Sequence, residues 1–154
     1  ILSRAVDLPL SHQLSHDTKN PGGWKNFSVY CRFLNEEFGR FVARLKDTPE
    51  PGGDGSMLDH SLLLFGSASS AFHLSRNYPL ILAGGKDMGF RHGQYVNLVG
   101  DNAYGGSWSG GQEPWQREFT HEDRPLADLY LTMLQRLGVE TDTFAGSTTP
   151  LEGV

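Results

Sequence analysis

Cysteine is nearly absent from this sequence: the 154 residues contain one, Cys31. A single thiol excludes a framework of internal disulfides and every zinc module that is built from several cysteines. Long apolar runs are also missing, since no stretch approaches the roughly 18 apolar residues that a bilayer-spanning helix needs. We therefore expect no transmembrane segment in this chain.

Positive charge is scarce and scattered. The chain has 13 Lys and Arg against 18 Asp and Glu, which gives a net charge of -5. Proteins that bind a phosphate backbone usually carry a basic stripe, so we expect no nucleic-acid partner. The sequence begins at Ile1 with neither Met nor a signal-like stretch. We expect that an N-terminal piece has been removed or that the chain belongs to a longer protein.

Two segments have the spacing of amphipathic helices. Apolar residues recur every three or four positions over 27–45, with Asn26 as the expected N-cap and Pro49 beyond the end. A second helix is predicted over 125–137, where Pro opens the first turn and Gly138 ends the helix.

Short, continuous apolar runs at 62–65 and 79–83 lie between these helices, and 95–99 is a candidate third strand. Such runs are typical of strands covered on both faces, as in a parallel sheet. The order helix, strand, strand, helix predicts an α/β fold with a mostly parallel sheet. Two or three buried parallel strands need further strands beside them, and this sequence supplies none. We therefore expect 1–154 to be a single α/β domain or the C-terminal portion of a larger one.

A Gly- and aromatic-rich loop region occupies 84–124. Loops beyond about 15 residues are uncommon in compact domains unless they have a function. Two interpretations stay open, a long ordered surface loop and a binding or assembly surface.

Histidine is the residue type best able to carry chemistry here. His12 and His16 are four residues apart and would share one face of a helix, although their flanks resemble a loop. A zinc-type site needs three or four such ligands, so exposed loop histidines are the alternative. His92 follows the second predicted strand, where ligands gather in α/β sheets. Arg91 beside it would bind an anionic ester oxygen or remain a solvated base.

Small polar residues follow the first predicted strand. Ser67 and Ser69 form a candidate site loop with His73, but no G-x-S-x-G elbow is present, which disfavours a serine nucleophile. Asp59 and His60 precede that strand, at the end opposite the expected ligand crevice. We interpret them as a capping or surface pair.

The segment 53–67, GDGSMLDHSLLLFGS, resembles part of an uncharacterised family of exported bacterial proteins. That family is a domain of unknown function, distantly similar to the alkaline phosphatase and sulfatase superfamily. The resemblance continues through 80–85, 91–92, 125–131 and 147–153. It implies that this chain is the C-terminal part of an α/β sandwich, exported to the periplasm or secreted. It also implies a protein partner or a missing N-terminal segment.

The resemblance also implies a metal site. His12 and His16 match the position of a metal-binding pair, with His12 where the superfamily has Asp, and His92 matches a later ligand. Where the superfamily has Asp-His after a strand, this chain has Ala68-Ser69, which cannot hold a divalent cation. At most one metal (zinc, iron or calcium) would remain, and the family nucleophile belongs to the N-terminal half.

These departures favour a degenerate, hydrolase-like extracytoplasmic protein that acts as a binding or assembly subunit. The alternative is the C-terminal part of a metal-dependent phosphate or sulfate ester hydrolase, in which Arg91 would contact the anion.

Overall fold

The computed structural model describes residues 11–67, 79–98 and 124–154. The chain divides into two compact units, Ile1–Pro49 and Glu50–Val154. Helices and a small sheet are both present, so the fold is mixed α/β, as expected. Within the described ranges, no helix is long and apolar enough to cross a membrane.

The described part of the first unit is a pair of helices, α1 (Ser11–Asp17) and α2 (Gly23–Lys46). Leu14 of α1 is 1% exposed, and α1 packs against α2. The predicted helix end before Pro49 is confirmed. The prediction of Asn26 as N-cap is wrong, because α2 begins at Gly23 after a left-handed Gly22 with φ of 80°. A Cβ on Gly23 would lie 2.0 Å from the Asp17 carbonyl oxygen, so this tight turn requires glycine.

The second unit contains a two-stranded sheet of β1 (Leu62–Gly66) and β2 (Leu80–Gly84). The strands pair antiparallel, with Leu62 opposite Gly84 and Gly66 opposite Leu80. The predicted parallel arrangement is therefore wrong for these two strands. A continuous apolar run indicates cover on both faces and carries no information about strand direction. Residues 95–98 form no strand, and Val99 lies outside the described residues.

The last helix, α3 (Leu126–Arg136), confirms the predicted second helix. Pro125 is its N-cap, and beyond the C-cap Gly138 adopts a left-handed conformation with φ of 83°. Leu131 on α3 is fully buried, and Phe90 is 5% exposed. These two side chains are the buried apolar core of the described part of this unit.

Polar contacts fasten the C-terminal segment to α3. The Ser147 hydroxyl donates to Asp128 Oδ1 over 2.6 Å, and both residues are buried. The Leu151 backbone N–H donates to Thr132 Oγ1 over 2.7 Å. Residues 147–151 therefore lie along α3, held by one buried and one partly buried hydrogen bond.

Candidate functional site

His12 and His16 lie on successive turns of α1. Their Nε2 atoms are 3.0 Å apart, and their ring centroids are 4.7 Å apart at an interplanar angle of 60°. The Ser15 hydroxyl between them donates to the His12 carbonyl oxygen over 2.7 Å. The flanking residues up to Asp17 are helical, whereas residues 18–22 form a turn as the sequence suggested, and the two imidazoles share one helix face.

The distance between the two nitrogens suits joint ligation of a metal. Two nitrogens at about 2.0–2.1 Å from a zinc ion, at angles between octahedral and tetrahedral, are about 2.8–3.4 Å apart. A hydrogen bond between the two rings gives a similar distance. In the parts of the chain that the structure describes, no group of three or more His, Cys, Asp or Glu side chains could hold a metal ion. The pair alone would offer two ligands, whereas a zinc site needs three or four.

His92 is held by the end of β2. Its Nε2 lies 2.5 Å from the Gly84 carbonyl oxygen, which can only accept, so Nε2 carries the hydrogen. The lone pair of a neutral ring is then on Nδ1. Metal-bound histidines commonly donate their other N–H to a backbone carbonyl in this way. His92 belongs to the second unit, whereas His12 and His16 belong to the first.

Glycines allow the chain to fold back between β2 and His92. The segment contains a 3₁₀ turn, Lys86–Met88, flanked by Gly85 and Gly89 in left-handed conformations with φ of 69° and 85°. Apart from this turn, residues 85–98 of the predicted loop region contain no helix or strand. The backbone reversal brings His92 to the Gly84 carbonyl.

The antiparallel pairing separates residues that a parallel sheet would bring together. Ser67 follows β1 at the end where Gly66 faces Leu80, whereas His92 bonds to Gly84 at the other end. The carboxyl ends of the two strands are therefore about four residues, or roughly 13 Å, apart. Ser67 is exposed. The other members of the predicted loop, Ser69 and His73, lie outside the described residues.

The same topology places His60 at the end of the sheet that holds His92, because His60 precedes β1. The expectation that Asp59 and His60 lie opposite the strand end that leads to His92 is therefore wrong. His60 Nε2 lies 2.9 Å from the Asp54 carbonyl oxygen and 3.2 Å from Asp87 Oδ2. The Asp54 hydrogen bond and the Asp87 carboxylate raise the pKa of His60.

Arg91 is exposed beside His92, and its backbone carbonyl accepts a hydrogen bond from the Gln94 amide over 3.3 Å. Its guanidinium is accessible to an anion from solvent. Arg91 and His92 are neighbours in sequence and remain on one short segment. Among the described residues, no second cation joins Arg91 at this position.

A cavity of about 330 Å³ lies elsewhere in the second unit. It is lined by Val96, Leu98, Arg124, Thr149, Pro150, Leu151 and Glu152. None of the predicted site residues lines it. The Arg124 guanidinium is 3.9 Å from the buried Asp128 carboxylate. This ion pair partly balances the positive charge that Arg124 would offer to a ligand in the cavity.

Comparison with known proteins identifies no significant match. No family model matches the sequence, and no curated protein or solved structure matches it significantly.

Sequence reasoning missed two contacts that organise the second unit. The first joins His60 to Asp87, and it became foreseeable only once the strand direction was known. The second joins Asp128 to Ser147, which are 19 residues apart. No periodicity or spacing marks a pair of that kind.

Proposed function

We propose that this chain is a degenerate, hydrolase-like extracytoplasmic protein that acts as a binding or assembly subunit. The observation that carries the proposal is the state of the β1–β2 sheet. Its strands are apolar at every position except the terminal glycines, yet none of the apolar side chains in either strand is fully buried. Strands with continuous apolar runs are normally covered on both faces.

Covering this sheet would be energetically favourable. Ile81 is 46% exposed, and a two-stranded sheet on its own is marginally stable in water. Full burial of one such side chain contributes about 1.5–3 kcal/mol. Burial of Ile81 and of the area that the partly buried strand side chains still expose would therefore stabilise an assembled state over the isolated chain.

The occupant that we propose is the N-terminal portion of the hydrolase-like fold, on the same or on a separate polypeptide. This follows from the resemblance, which assigns the present chain to the C-terminal part of an α/β sandwich. An antiparallel pair is compatible with that fold, because mixed sheets often carry an antiparallel edge strand on an otherwise parallel sheet. We propose that β1 and β2 extend the edge of such a sheet.

A second surface supports assembly. Helix α2 is 24 residues long, and several of its large apolar side chains are exposed. Val29 (42% exposed) and Phe33 (39% exposed) are four residues apart and share one face of this helix, whereas Trp24 (59% exposed) lies on the opposite face. Clusters of exposed apolar residues mark interaction sites more often than isolated ones do.

The proposal is tested by placing a charge on the sheet. We expect Ile81→Lys to weaken assembly or stability in the protein isolated from its native source, because the charge would be buried under the N-terminal portion. Tyr95→Lys is the matched control, since Tyr95 is 88% exposed. Thermal unfolding and native mass would be measured for both variants. Equal behaviour of the two variants would contradict the proposal.

The geometry of the two α1 histidines favours a second candidate function, the C-terminal part of a metal-dependent phosphate or sulfate ester hydrolase. The Nε2 atoms of His12 and His16 have the distance of joint ligands. Imidazole ligands suit zinc or iron better than calcium. Arg91 would bind the anionic ester oxygen. The missing nucleophile would come from the N-terminal half.

Metal content separates the two functions. Elemental analysis of chelator-free protein is expected to give about one zinc or iron per chain if the second function holds, and His16→Ala should remove it. His60→Ala is the control, because His60 is outside the proposed ligand set. Metal that survives His16→Ala would contradict the ligand assignment.

A further inference from the structure

His60 belongs to one of two segments that meet at one end of the sheet. Residues 50–61, the leading loop, run into β1, and residues 85–89, the trailing turn, leave β2. His60 Nε2 lies 2.9 Å from the carbonyl oxygen of Asp54 in the leading loop. The same nitrogen lies 3.2 Å from Asp87 Oδ2 in the trailing turn.

Backbone hydrogen bonds join the same two segments. The Gly85 N–H donates to the Leu58 carbonyl over 3.1 Å, and the Asp87 N–H donates to the Asp59 carbonyl over 3.2 Å. Gly84 itself approaches so closely that a Cβ would lie 2.1 Å from the Ser61 carbonyl oxygen. The contact between His60 and Asp87 therefore adds a side-chain tie to an existing backbone connection.

The charges around His60 are predominantly negative. Asp87 faces it from the trailing turn, and Glu50 and Asp59 act on it from the leading loop. Lys86 acts on Asp59. Three carboxylates thus stabilise an imidazolium at this position, with one ammonium group beside them.

We propose that protonation of His60 closes an ionic latch between the leading loop and the trailing turn, so that this end of the sheet tightens as the solution becomes more acidic. The neutral ring still donates its Nε2–H to Asp54, but it loses the charge that attracts Asp87. The inference does not rest on the proposed function, since His60 and Asp87 lie outside the two strands and are not among the predicted metal ligands.

The direction of the effect follows from the raised pKa of His60. The latch is fully present below the ordinary histidine pKa of about 6.5, and it is lost as the pH rises through the higher pKa of the folded protein. Because the side chain is partly exposed, the ion pair is screened by solvent and its effect is modest.

The test combines NMR titration with amide hydrogen exchange on the full chain. We expect His60 to titrate above about 6.5, and Asp87→Asn to lower its pKa by removing the partner charge. After correction for intrinsic rates, the Asp87 amide should exchange about two- to fivefold more slowly at acidic than at basic pH. His60→Gln is the matched control, because glutamine retains an N–H donor and does not titrate.

Two results would overturn the latch. One is a His60 pKa that Asp87→Asn leaves in place. The other is a ratio of Asp87 amide exchange rates, at basic against acidic pH, that is the same in the original chain and in the His60→Gln variant. Loss of the ratio in both Asp87→Asn and His60→Gln would support the latch.

Discussion

The buried Asp128–Ser147 contact offers the sharpest test of how the C-terminal segment is held. Asp128 is 4% exposed and Ser147 is 5% exposed, and the hydroxyl donates to the carboxylate over 2.6 Å. Among the described residues, the Arg124 guanidinium lies 3.9 Å from Asp128 Oδ2. Ser147→Ala would therefore leave Asp128 Oδ1 without the donor that satisfies it.

The magnitude follows from the nature of the acceptor. Hydrogen bonds to charged groups contribute about 1.5–3 kcal/mol, and an unsatisfied buried acceptor has a similar cost. We expect Ser147→Ala to lower the free energy of unfolding by about 1.5–3 kcal/mol, measured by urea denaturation followed by circular dichroism. Ser28→Ala is the control, because that hydroxyl donates to the Lys25 carbonyl on an exposed helix surface.

Asp128→Asn should have a different effect. The amide oxygen of asparagine still accepts from Ser147, but the negative charge is lost, so we expect a smaller destabilisation than for Ser147→Ala. A Ser147→Ala effect below about 0.5 kcal/mol, equal to that of Ser28→Ala, would refute the account of this contact.

Three further predictions follow from single residues. Leu131 is fully buried, so Leu131→Ala should cost about 2–5 kcal/mol in urea denaturation, and a cost below about 1 kcal/mol would contradict its place in the core. Ala145 has a left-handed φ of 47°, so Ala145→Gly should stabilise the chain by up to about 1 kcal/mol in the same assay, whereas a loss would contradict the strain. Hydrogen bonds from Ser56 lower the pKa of Asp59, so their contribution is complete above the ordinary aspartate value of about 3.9. This contribution is lost as the pH falls through the lower pKa of Asp59 in the folded protein. Amide exchange of residues 56–59, corrected for intrinsic rates, should accelerate over that pH range in the original chain and not in the Asp59→Asn variant.

Local signals predicted the elements whose ends depend on local chemistry. Helix α3 begins after Pro125 and ends before Gly138 because proline fits a first turn and glycine accepts a left-handed φ. The start of α2 was missed because it depends on a close backbone approach between Gly23 and Asp17. Spacing along a helix carries no information about such a contact.

The candidate site depended on a non-local property, the direction of β2. The apolar runs gave the strand positions, but antiparallel pairing places Ser67 and His92 at opposite ends of the sheet and moves His60 to the His92 end. The pairing of His12 with His16 needed only the four-residue spacing and a helix. The proximity of two residues one helical turn apart was therefore predictable from the sequence. The proximity of residues at the ends of different strands was not.

The central claim is that another part of a hydrolase-like fold covers the β1–β2 sheet. The most direct measurement is photo-cross-linking in the native source, with a benzophenone amino acid replacing Ile81 and, as control, Tyr95. We predict that the group at 81 cross-links to strand or helix peptides of the N-terminal portion, identified by mass spectrometry, and that the group at 95 does not. Cross-links from 81 only to solvent products or to a second copy of this chain would contradict the claim.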